Sequence, residues 1–126
     1  MRERVLICGD RNWVHGEIIL RELSKVQQMH GVDVVIEGEA KGADTLGRLA
    51  AERLGIPVLK FPADWRKFGL SAGYKRNAQM LAEGKPTVVL AFHNFIENSK
   101  GTKMMVDLAR KAQVPAQIFT EGKHGT

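Results

Sequence analysis

Several features of secreted and membrane proteins are missing from this chain of 126 residues. Cys8 is its single cysteine, which excludes an internal disulfide and fits a reducing compartment. No run of about 18 apolar residues is present, so no membrane-spanning helix is expected. The apolar run Val5–Cys8 near the start is too short for the core of a signal peptide. We therefore predict a cytoplasmic, single-domain protein with no membrane partner.

The sequence also lacks the patterns of several catalytic and metal-binding sites. Its four histidines are scattered, and none has a second metal ligand three or four residues away. There is no Gly-x-Ser-x-Gly nucleophile elbow, and the turn at residues 99–102 does not have P-loop spacing. These absences predict no metal site and no cofactor, and they leave the catalytic residues, if any, unknown.

The net charge is positive, but the basic residues form no block. Nineteen Lys and Arg against 14 Asp and Glu give a formal charge of +5. Such a charge attracts polyanions, including nucleic acid. The basic residues are spread along the chain, and no cluster is longer than a pair such as Lys75-Arg76 or Arg66-Lys67. We therefore interpret the charge as favouring a small anionic ligand. Nucleic acid is kept as the alternative partner.

Apolar runs alternate with helical patterns along the chain. The runs predict five strands, at Val5–Cys8, Val32–Ile36, Pro57–Phe61, Thr87–Phe92 and Val114–Phe119. The helical patterns lie at Trp13–Met29, Ala43–Leu54, Ser71–Ala82 and Thr102–Ala112. This alternation predicts a Rossmann-like α/β fold, a doubly wound parallel sheet in the order 3-2-1-4-5 with helices on both faces. Residues 1–120 would form the domain and residues 121–126 a frayed polar tail.

Three of the predicted strands end in glycine-bearing polar turns that precede helices. These turns are Gly9-Asp10-Arg11, the segment 38–44 and Ser99-Lys100-Gly101-Thr102. In a parallel sheet such turns meet at the carboxyl edge, where backbone N–H groups and helix N-termini favour a phosphate or another anion. The first and fourth strands flank the point at which the strand order reverses. We therefore predict the binding site there.

These turns carry most of the candidate ligand-binding residues, which are glycines, cations, carboxylates and hydroxyls. They are Gly9, Asp10, Arg11, Gly38, Lys41, Gly42, Asp44, Ser99, Lys100, Gly101 and Thr102. The cations would neutralise phosphate, the glycines would admit a ligand close to the backbone, and Asp10 or Asp44 would bind a ribose hydroxyl. The alternative is that Asp10 or Asn12, Asp44 and Ser99 only cap the helices that follow.

Two further segments supply the remaining candidates. Asp64 and Trp65 follow the third strand, and Trp65 either stacks on a base or covers the core, which we favour. Arg76 and Asn77 lie on the third predicted helix, where they either bind the ligand or form a solvated face. The stretches 62–70 and 93–100 are predicted to be loops. Cys8 is interpreted as a small buried hydrophobic residue, not a nucleophile.

Together these motifs resemble the YspA/YpsA-related branch of the SLOG superfamily, whose members are Rossmann-like. The resemblance rests on Gly-Asp-Arg after the first strand, Gly-x-x-x-Gly-Ala-Asp after the second and the three blocks Phe61-Pro-Ala-Asp-Trp, Gly73-Tyr-Lys-Arg-Asn and Lys100-Gly-Thr. It implies binding of a nucleotide or nucleotide-derived signal, which is sensed or sequestered in a phage or bacterial defence context. It also implies self-association as a dimer or a higher homo-oligomer.

The resemblance suggests two alternatives within the same superfamily. The Lonely Guy branch removes the base from nucleoside monophosphates, and Arg76 and Gly101-Thr102 match part of its motifs. Its catalytic glutamate falls at Met105 in this sequence, which cannot act as an acid or a base, so an enzyme is not favoured. If hydrolysis occurred, Asp10, Asp44 and Asp64 would be the candidate carboxylates. The DprA branch binds single-stranded DNA, for which a continuous basic stripe with aromatic residues is missing here.

Overall fold

Five parallel strands form the centre of the molecule, and helices pack around them. The structure, a computed structural model, describes residues 2–122. The strands are β1 (Glu3–Gly9), β2 (Val32–Glu37), β3 (Val58–Lys60), β4 (Val88–Phe92) and β5 (Ala116–Phe119). The α-helices are α1 (Gly16–His30), α2 (Ala43–Arg53), α3 (Trp65–Phe68), α4 (Ala72–Gln79) and α5 (Gly101–Lys111). Within residues 2–122, no helix has the length and apolar character that crossing a membrane requires.

The strand order β3-β2-β1-β4-β5 confirms the prediction. β1 lies in the middle and pairs in parallel with β2 on one side and with β4 on the other. At the carboxyl end of this pairing Gly9 lies opposite Phe92. Because the chain winds outward from β1 in one direction and from β4 in the other, the loops after these two strands diverge and leave a crevice.

Alternate residues of β1 supply two separate hydrophobic cores. Val5 and Ile7 pack with residues of α1 and α2, whereas Leu6 and Cys8 pack with residues of α5 on the opposite face. Side chains of successive strand residues point to opposite faces, so a strand that is apolar throughout must be covered twice. Burial raises the pKa of the Cys8 thiol well above its usual range. The interpretation of Cys8 as a buried hydrophobic residue is therefore confirmed.

Two stretches predicted to be loops contain short helical turns instead. Trp65–Phe68 forms α3, a single turn that continues into a 3₁₀ turn at Gly69–Ser71, and a second 3₁₀ turn lies at Ile96–Asn98. Asp64 begins α3, since its Oδ1 accepts a hydrogen bond from the backbone N–H of Lys67 at 3.0 Å. Elements of three or four residues are too short to show helical periodicity, so the sequence pattern did not reveal them.

Local predictions at the first two helices are wrong in detail. α1 begins at Gly16, after His15, so neither Asp10 nor Asn12 caps it. Asp10 instead accepts a hydrogen bond on Oδ1 from the backbone N–H of Asn12 at 2.8 Å, which stabilises the turn itself. The predicted cap of α2 is wrong as well, since Gly42 precedes that helix and Asp44 lies inside its first turn.

The predicted polar tail is only partly within the described residues. Glu121 is anchored, because its N–H donates to Oδ1 of Asn94 at 2.8 Å and its carboxylate lies 3.0 Å from Nε2 of His15. Residues 123–126 lie outside the part of the chain that the structure describes.

Candidate functional site

A cavity of about 390 Å³ opens between the loops that follow β1 and β4. Its wall is formed by these two loops, by α3 with the turn after it, by α4 and by the start of α5. The cavity brings together predicted residues from four of the five predicted segments, and the turn after β2 is the segment that contributes none of them. They are Gly9, Asp10, Arg11, Trp65, Arg76, Asn77, Ser99, Gly101 and Thr102. The other predicted residues, Gly38, Lys41, Gly42, Asp44, Asp64 and Lys100, do not line it.

Arg76 reaches the cavity from α4, and its guanidinium is held at two points. Nη1 donates to the carbonyl oxygen of Gly38 at 2.6 Å, and Nε donates to Oδ1 of Asn77 at 2.9 Å. A Cβ on Gly38 would lie 2.5 Å from Nη1, so the absence of a side chain there leaves room for the guanidinium. Arg76 forms no ion pair with any carboxylate of residues 2–122. A positioned positive charge is thus available to a ligand.

Asn77 links α4 to the beginning of α5. It is 5% exposed, and its Nδ2 donates to the carbonyl oxygen of Gly101 at 3.2 Å. Two residues before Gly101, in the loop after β4, Ser99 Oγ accepts a hydrogen bond from the N–H of Thr102 at 3.0 Å. Ser99 therefore satisfies one N–H group of the first turn of α5, although Lys100 is the residue directly before the helix. The remaining N–H groups of the first turn have no intrahelical partner and give this end of α5 a partial positive charge.

Gly42 holds the loop after β1 against the start of α2. Its φ is 73°, a left-handed conformation, and a Cβ there would lie 2.5 Å from the carbonyl oxygen of Arg11. The carbonyl oxygen of Asp10 accepts hydrogen bonds from the N–H groups of Trp13 and Ala43, both at 3.1 Å. These contacts place the exposed side chain of Arg11 on the cavity wall. Gly42 therefore supports the cavity wall without being part of it.

Asp44 is a buried carboxylate that organises the loop after β2. Its Oδ2 accepts hydrogen bonds from the N–H groups of Gly38 at 3.1 Å and Ala40 at 3.3 Å. Burial raises its pKa to about 6, and the positive charge of Arg76 opposes this rise. Because Asp44 is 6% exposed and lies inside the first turn of α2, it neither caps that helix nor lines the cavity.

Glu37 is a second buried carboxylate, and sequence reasoning did not identify it. It ends β2 and is fully buried; Oε1 accepts a hydrogen bond from the N–H of Glu39 at 2.6 Å. Oε2 has no hydrogen-bond partner among residues 2–122. Burial raises the pKa of Glu37 to about 8, and the negative charges of Glu39 and Asp44 act in the same direction. A charged residue that ends an apolar strand was the available signal.

Apolar and aromatic side chains form one wall of the cavity. Trp65 is 58% exposed, and Leu70 and Tyr74 lie on the same wall. The prediction that Trp65 covers the core is wrong, since α3 contributes to neither hydrophobic core. Sequence reasoning missed five wall residues, which are Ala40, Leu70, Gly73, Tyr74 and His93.

His93 lies opposite Asp10 at the point where the strand order reverses. Each is the first residue after its strand, and Nε2 of His93 lies 3.9 Å from Oδ2 of Asp10. The backbones are joined as well, since the N–H of Asp10 donates to the carbonyl oxygen of Phe92 at 2.9 Å. The position of His93 directly after a buried strand was the signal that could have found it.

A shallower groove of about 470 Å³ runs along α5 and shares Tyr74 and Ser99 with the cavity. It contains Lys100, Lys103 and Lys111. Lys103 pairs with Asp107 at 3.0 Å, which raises the pKa of the lysine. Lys100, predicted to bind phosphate, therefore lies beside the cavity and not on its wall.

The position expected for a catalytic glutamate lies in the core. Met105 is 1% exposed and belongs to the same hydrophobic core as Leu6 and Cys8. Asp107, two residues further on, is exposed and paired with Lys103. In the part of the chain that the structure describes, no three His, Cys, Asp or Glu side chains are grouped so as to hold a metal ion.

The fold and the crevice define a Rossmann-like protein with a cavity where the strand order reverses. A model of the family described as the YspA, cpYpsA-related SLOG family matches residues 3–68, just over half of the chain. The Gene 61 protein of Mycobacterium phage D29 is 32% identical over 123 residues, which cover 92% of this chain and 95% of that protein. The chain belongs to the YspA, cpYpsA-related SLOG family, as the motifs predicted, and it has a phage relative. No solved structure matches it.

Proposed function

We propose that the protein binds a nucleotide or a nucleotide-derived small molecule in the cavity between the β1 and β4 loops. The observation that carries this proposal is the convergence of Arg11, Arg76 and the start of α5 on one cavity that also has an aromatic wall. Its volume of about 390 Å³ is within the range of sites for small molecules. Family membership and the phage relative support the proposal.

The phosphate would lie between the guanidiniums and the N-terminus of α5. Neither Arg11 nor Arg76 is paired with a carboxylate among residues 2–122. A guanidinium presents N–H donors in a fork that matches two phosphate oxygens. The unpaired N–H groups of a helix N-terminus add donors and a partial positive charge. Arg76 is the principal ligand in this proposal, because two hydrogen bonds already fix its orientation.

The base would lie against the wall formed by Trp65, Leu70 and Tyr74. An aromatic face accepts any base by stacking, so this wall selects for a planar ring and not for a particular base. Trp65 is 58% exposed, and contact of its apolar ring with water is unfavourable. A base stacked on the ring would remove part of that contact. We do not propose hydrolysis, because Met105 is buried in the core.

A role in sensing or sequestering a nucleotide signal is the biological form of this proposal. It depends on the family and on the phage relative, and it is an analogy and not a consequence of the geometry. Self-association and a cytoplasmic location stay predictions.

The proposal is tested by a thermal-shift screen at fixed ionic strength. The panel contains AMP, ADP, ADP-ribose, NAD, cyclic dinucleotides and cyclic ADP-ribose isomers. A ligand at 100 times its dissociation constant stabilises the folded state by roughly 2.7 kcal/mol, which gives a clear shift in Tm. The Arg76→Ala variant should lose the shift. Arg53→Ala is the matched control, since Arg53 is exposed at the far end of α2 and the change in net charge is the same.

The screen also separates the proposal from its alternatives. No shift with any nucleotide, in a protein that unfolds cooperatively, would contradict it. Tight, steeply salt-dependent binding of a single-stranded oligonucleotide, without binding of mononucleotides, would favour a DNA-binding function. Release of free base from a nucleoside monophosphate would instead favour a hydrolase.

A further inference from the structure

We infer that Asp10 and His93 together form a hydroxyl-recognition site, which makes the cavity selective for a ribose over a deoxyribose. The inference rests on the proposed function, because it concerns the sugar of the nucleotide proposed above. It assigns a role to His93, which no sequence motif indicated, and it gives Asp10 a specific partner.

The two side chains are held so that one polar atom of each remains available. Oδ1 of Asp10 accepts the N–H of Asn12 at 2.8 Å, and Nδ1 of His93 accepts the N–H of Phe95 at 3.0 Å. These contacts turn Oδ2 and Nε2 toward each other, 3.9 Å apart. Both residues line the cavity. Among residues 2–122, neither Oδ2 of Asp10 nor Nε2 of His93 has a hydrogen-bond partner.

The hydrogen bond from Phe95 determines the tautomer of His93. Because Nδ1 accepts a hydrogen bond from a backbone N–H, the proton of a neutral imidazole must be on Nε2. The pair therefore presents one donor, Nε2–H, beside one acceptor, the carboxylate oxygen Oδ2. A pair of two donors or of two acceptors would not offer a ligand both kinds of hydrogen bond.

A hydroxyl group has the complementary chemistry, since its oxygen accepts one hydrogen bond while its proton donates another. The separation of 3.9 Å is too long for a direct hydrogen bond between the two side chains. It is shorter than twice the usual distance of about 2.8 Å for a hydrogen bond, so one oxygen atom can lie within reach of both. A sugar hydroxyl placed there would accept from His93 and donate to Asp10. Removing that hydroxyl would leave a donor and a carboxylate without partners, which is the basis of strong discrimination.

The experiment measures binding of AMP, GMP, CMP and UMP, each with its 2′-deoxy and 3′-deoxy analogue, by isothermal titration calorimetry. The protein is the full chain. For wild type we expect one deoxy analogue to bind roughly 10- to 100-fold more weakly than the ribonucleotide, because a hydrogen bond to a charged group is lost. Asp10→Asn keeps the acceptor for Asn12 but replaces Oδ2 by a donor. His93→Phe keeps the ring volume but removes Nε2–H. In both variants the ratio of the dissociation constants for the deoxy analogue and the ribonucleotide should fall below about threefold.

Two further variants separate recognition from general damage to the site. His93→Gln can place an amide N–H near the position of Nε2. It should retain part of the discrimination between ribonucleotide and deoxy analogue, with an unchanged Tm. Arg76→Ala should weaken the binding of the ribonucleotide and of its deoxy analogue by the same factor, because Arg76 acts on the phosphate. The ratio of the two dissociation constants should therefore stay unchanged.

The outcomes distinguish this inference from the proposed function. Binding of ribonucleotides and deoxy analogues with equal affinity in wild type would overturn the inference and leave the proposed function standing. A penalty for the deoxy analogue that persists in Asp10→Asn and His93→Phe would assign recognition of the hydroxyl to other residues. Failure of all four ribonucleotides to bind would overturn the inference, and failure of every ligand in the thermal-shift panel as well would overturn the proposed function.

Discussion

Arg76 donates a hydrogen bond from Nη1 to the carbonyl oxygen of Gly38 at 2.6 Å, across 38 residues of the chain. The contact joins α4 to the loop after β2 and so connects the two sides of the sheet's carboxyl edge. It exists because Gly38 has no Cβ, which leaves the guanidinium free to lie against the backbone. The orientation of the principal cation of the cavity therefore depends on a residue that does not line the cavity.

Gly38→Ala should weaken nucleotide binding while the fold is retained. The three atoms nearest to the new Cβ all belong to the side chain of Arg76, which is flexible and can move away. We expect a loss of stability below about 1 kcal/mol and a loss of AMP affinity about as large as in Arg76→Ala. Urea unfolding and calorimetry measure the two effects. Gly16→Ala, whose Cβ would meet a side-chain atom of Leu46 at 3.4 Å, is the control. Unchanged affinity in Gly38→Ala would show that the position of Arg76 does not matter for binding.

Gly42→Ala should instead destabilise the fold. Here the new Cβ meets the backbone of the loop after β1, which cannot move aside cheaply, and the φ of 73° is strained for alanine. We expect a decrease in the free energy of unfolding of roughly 2–4 kcal/mol, measured by urea denaturation. A decrease no larger than that of the Gly16→Ala control would mean that the two loops are not held together as the hydrogen bonds of Asp10 indicate.

Glu37→Gln should change how stability depends on pH. Folding raises the pKa of Glu37 from 4.5 to about 8. Between these two pH values Glu37 carries a proton in the folded protein and has lost it in the unfolded chain. Stability contributed by Glu37 is therefore present below about pH 4.5 and is lost as the pH rises toward 8. Asp44, raised from 3.8 to about 6, acts in the same direction at lower pH.

The glutamine variant has no such proton to release. Relative to wild type it should gain roughly 2–4 kcal/mol of stability between pH 5 and pH 9, as measured by urea unfolding at each pH. Glu52→Gln, at an exposed position on α2, is the control, and its free energy of unfolding should depend on pH as that of wild type does. If Glu37→Gln also runs parallel to wild type, the carboxylate is ionised in the folded protein.

Trp65→Ala should reduce nucleotide affinity with little effect on stability. The side chain is 58% exposed and lies outside both cores, so few packing contacts are lost. If a base stacks on it, affinity for AMP should fall by about 1–3 kcal/mol, measured by calorimetry. Phe68→Ala is the matched control, since Phe68 is an aromatic residue of the same helix that does not line the cavity. Equal affinity in the two variants would exclude stacking on Trp65.

The sequence predicted the sheet order and the region of the cavity because both follow from local patterns. Continuous apolar runs such as Val5–Cys8 indicate strands covered on both faces, and their alternation with helices restricts the topology to very few arrangements. Polar turns after β1 and β4 must then lie at the same edge of the sheet. Gly9, Asp10 and Arg11 were predicted in this way, and the structure places them on the cavity wall.

The predictions that were wrong concern contacts between distant segments. Trp65 was assigned to the core because tryptophan is usually buried, but a single turn of helix holds it outside. Asp44 was predicted as an alternative cap of α2, and it instead accepts hydrogen bonds from the N–H groups of the loop before that helix. His93 had no motif around it, and its position beside Asp10 depends on the pairing of β1 with β4, which lie far apart in the sequence.

The sequence by itself therefore determined the α/β class, the order of the strands and the edge at which polar turns collect, since periodicity and turn chemistry are properties of neighbouring residues. Only the tertiary structure decided that Arg76 lies against Gly38, that Glu37 is fully buried and that His93 lies 3.9 Å from Asp10. Distances between side chains depend on strand register and helix packing, which many weak contacts set together.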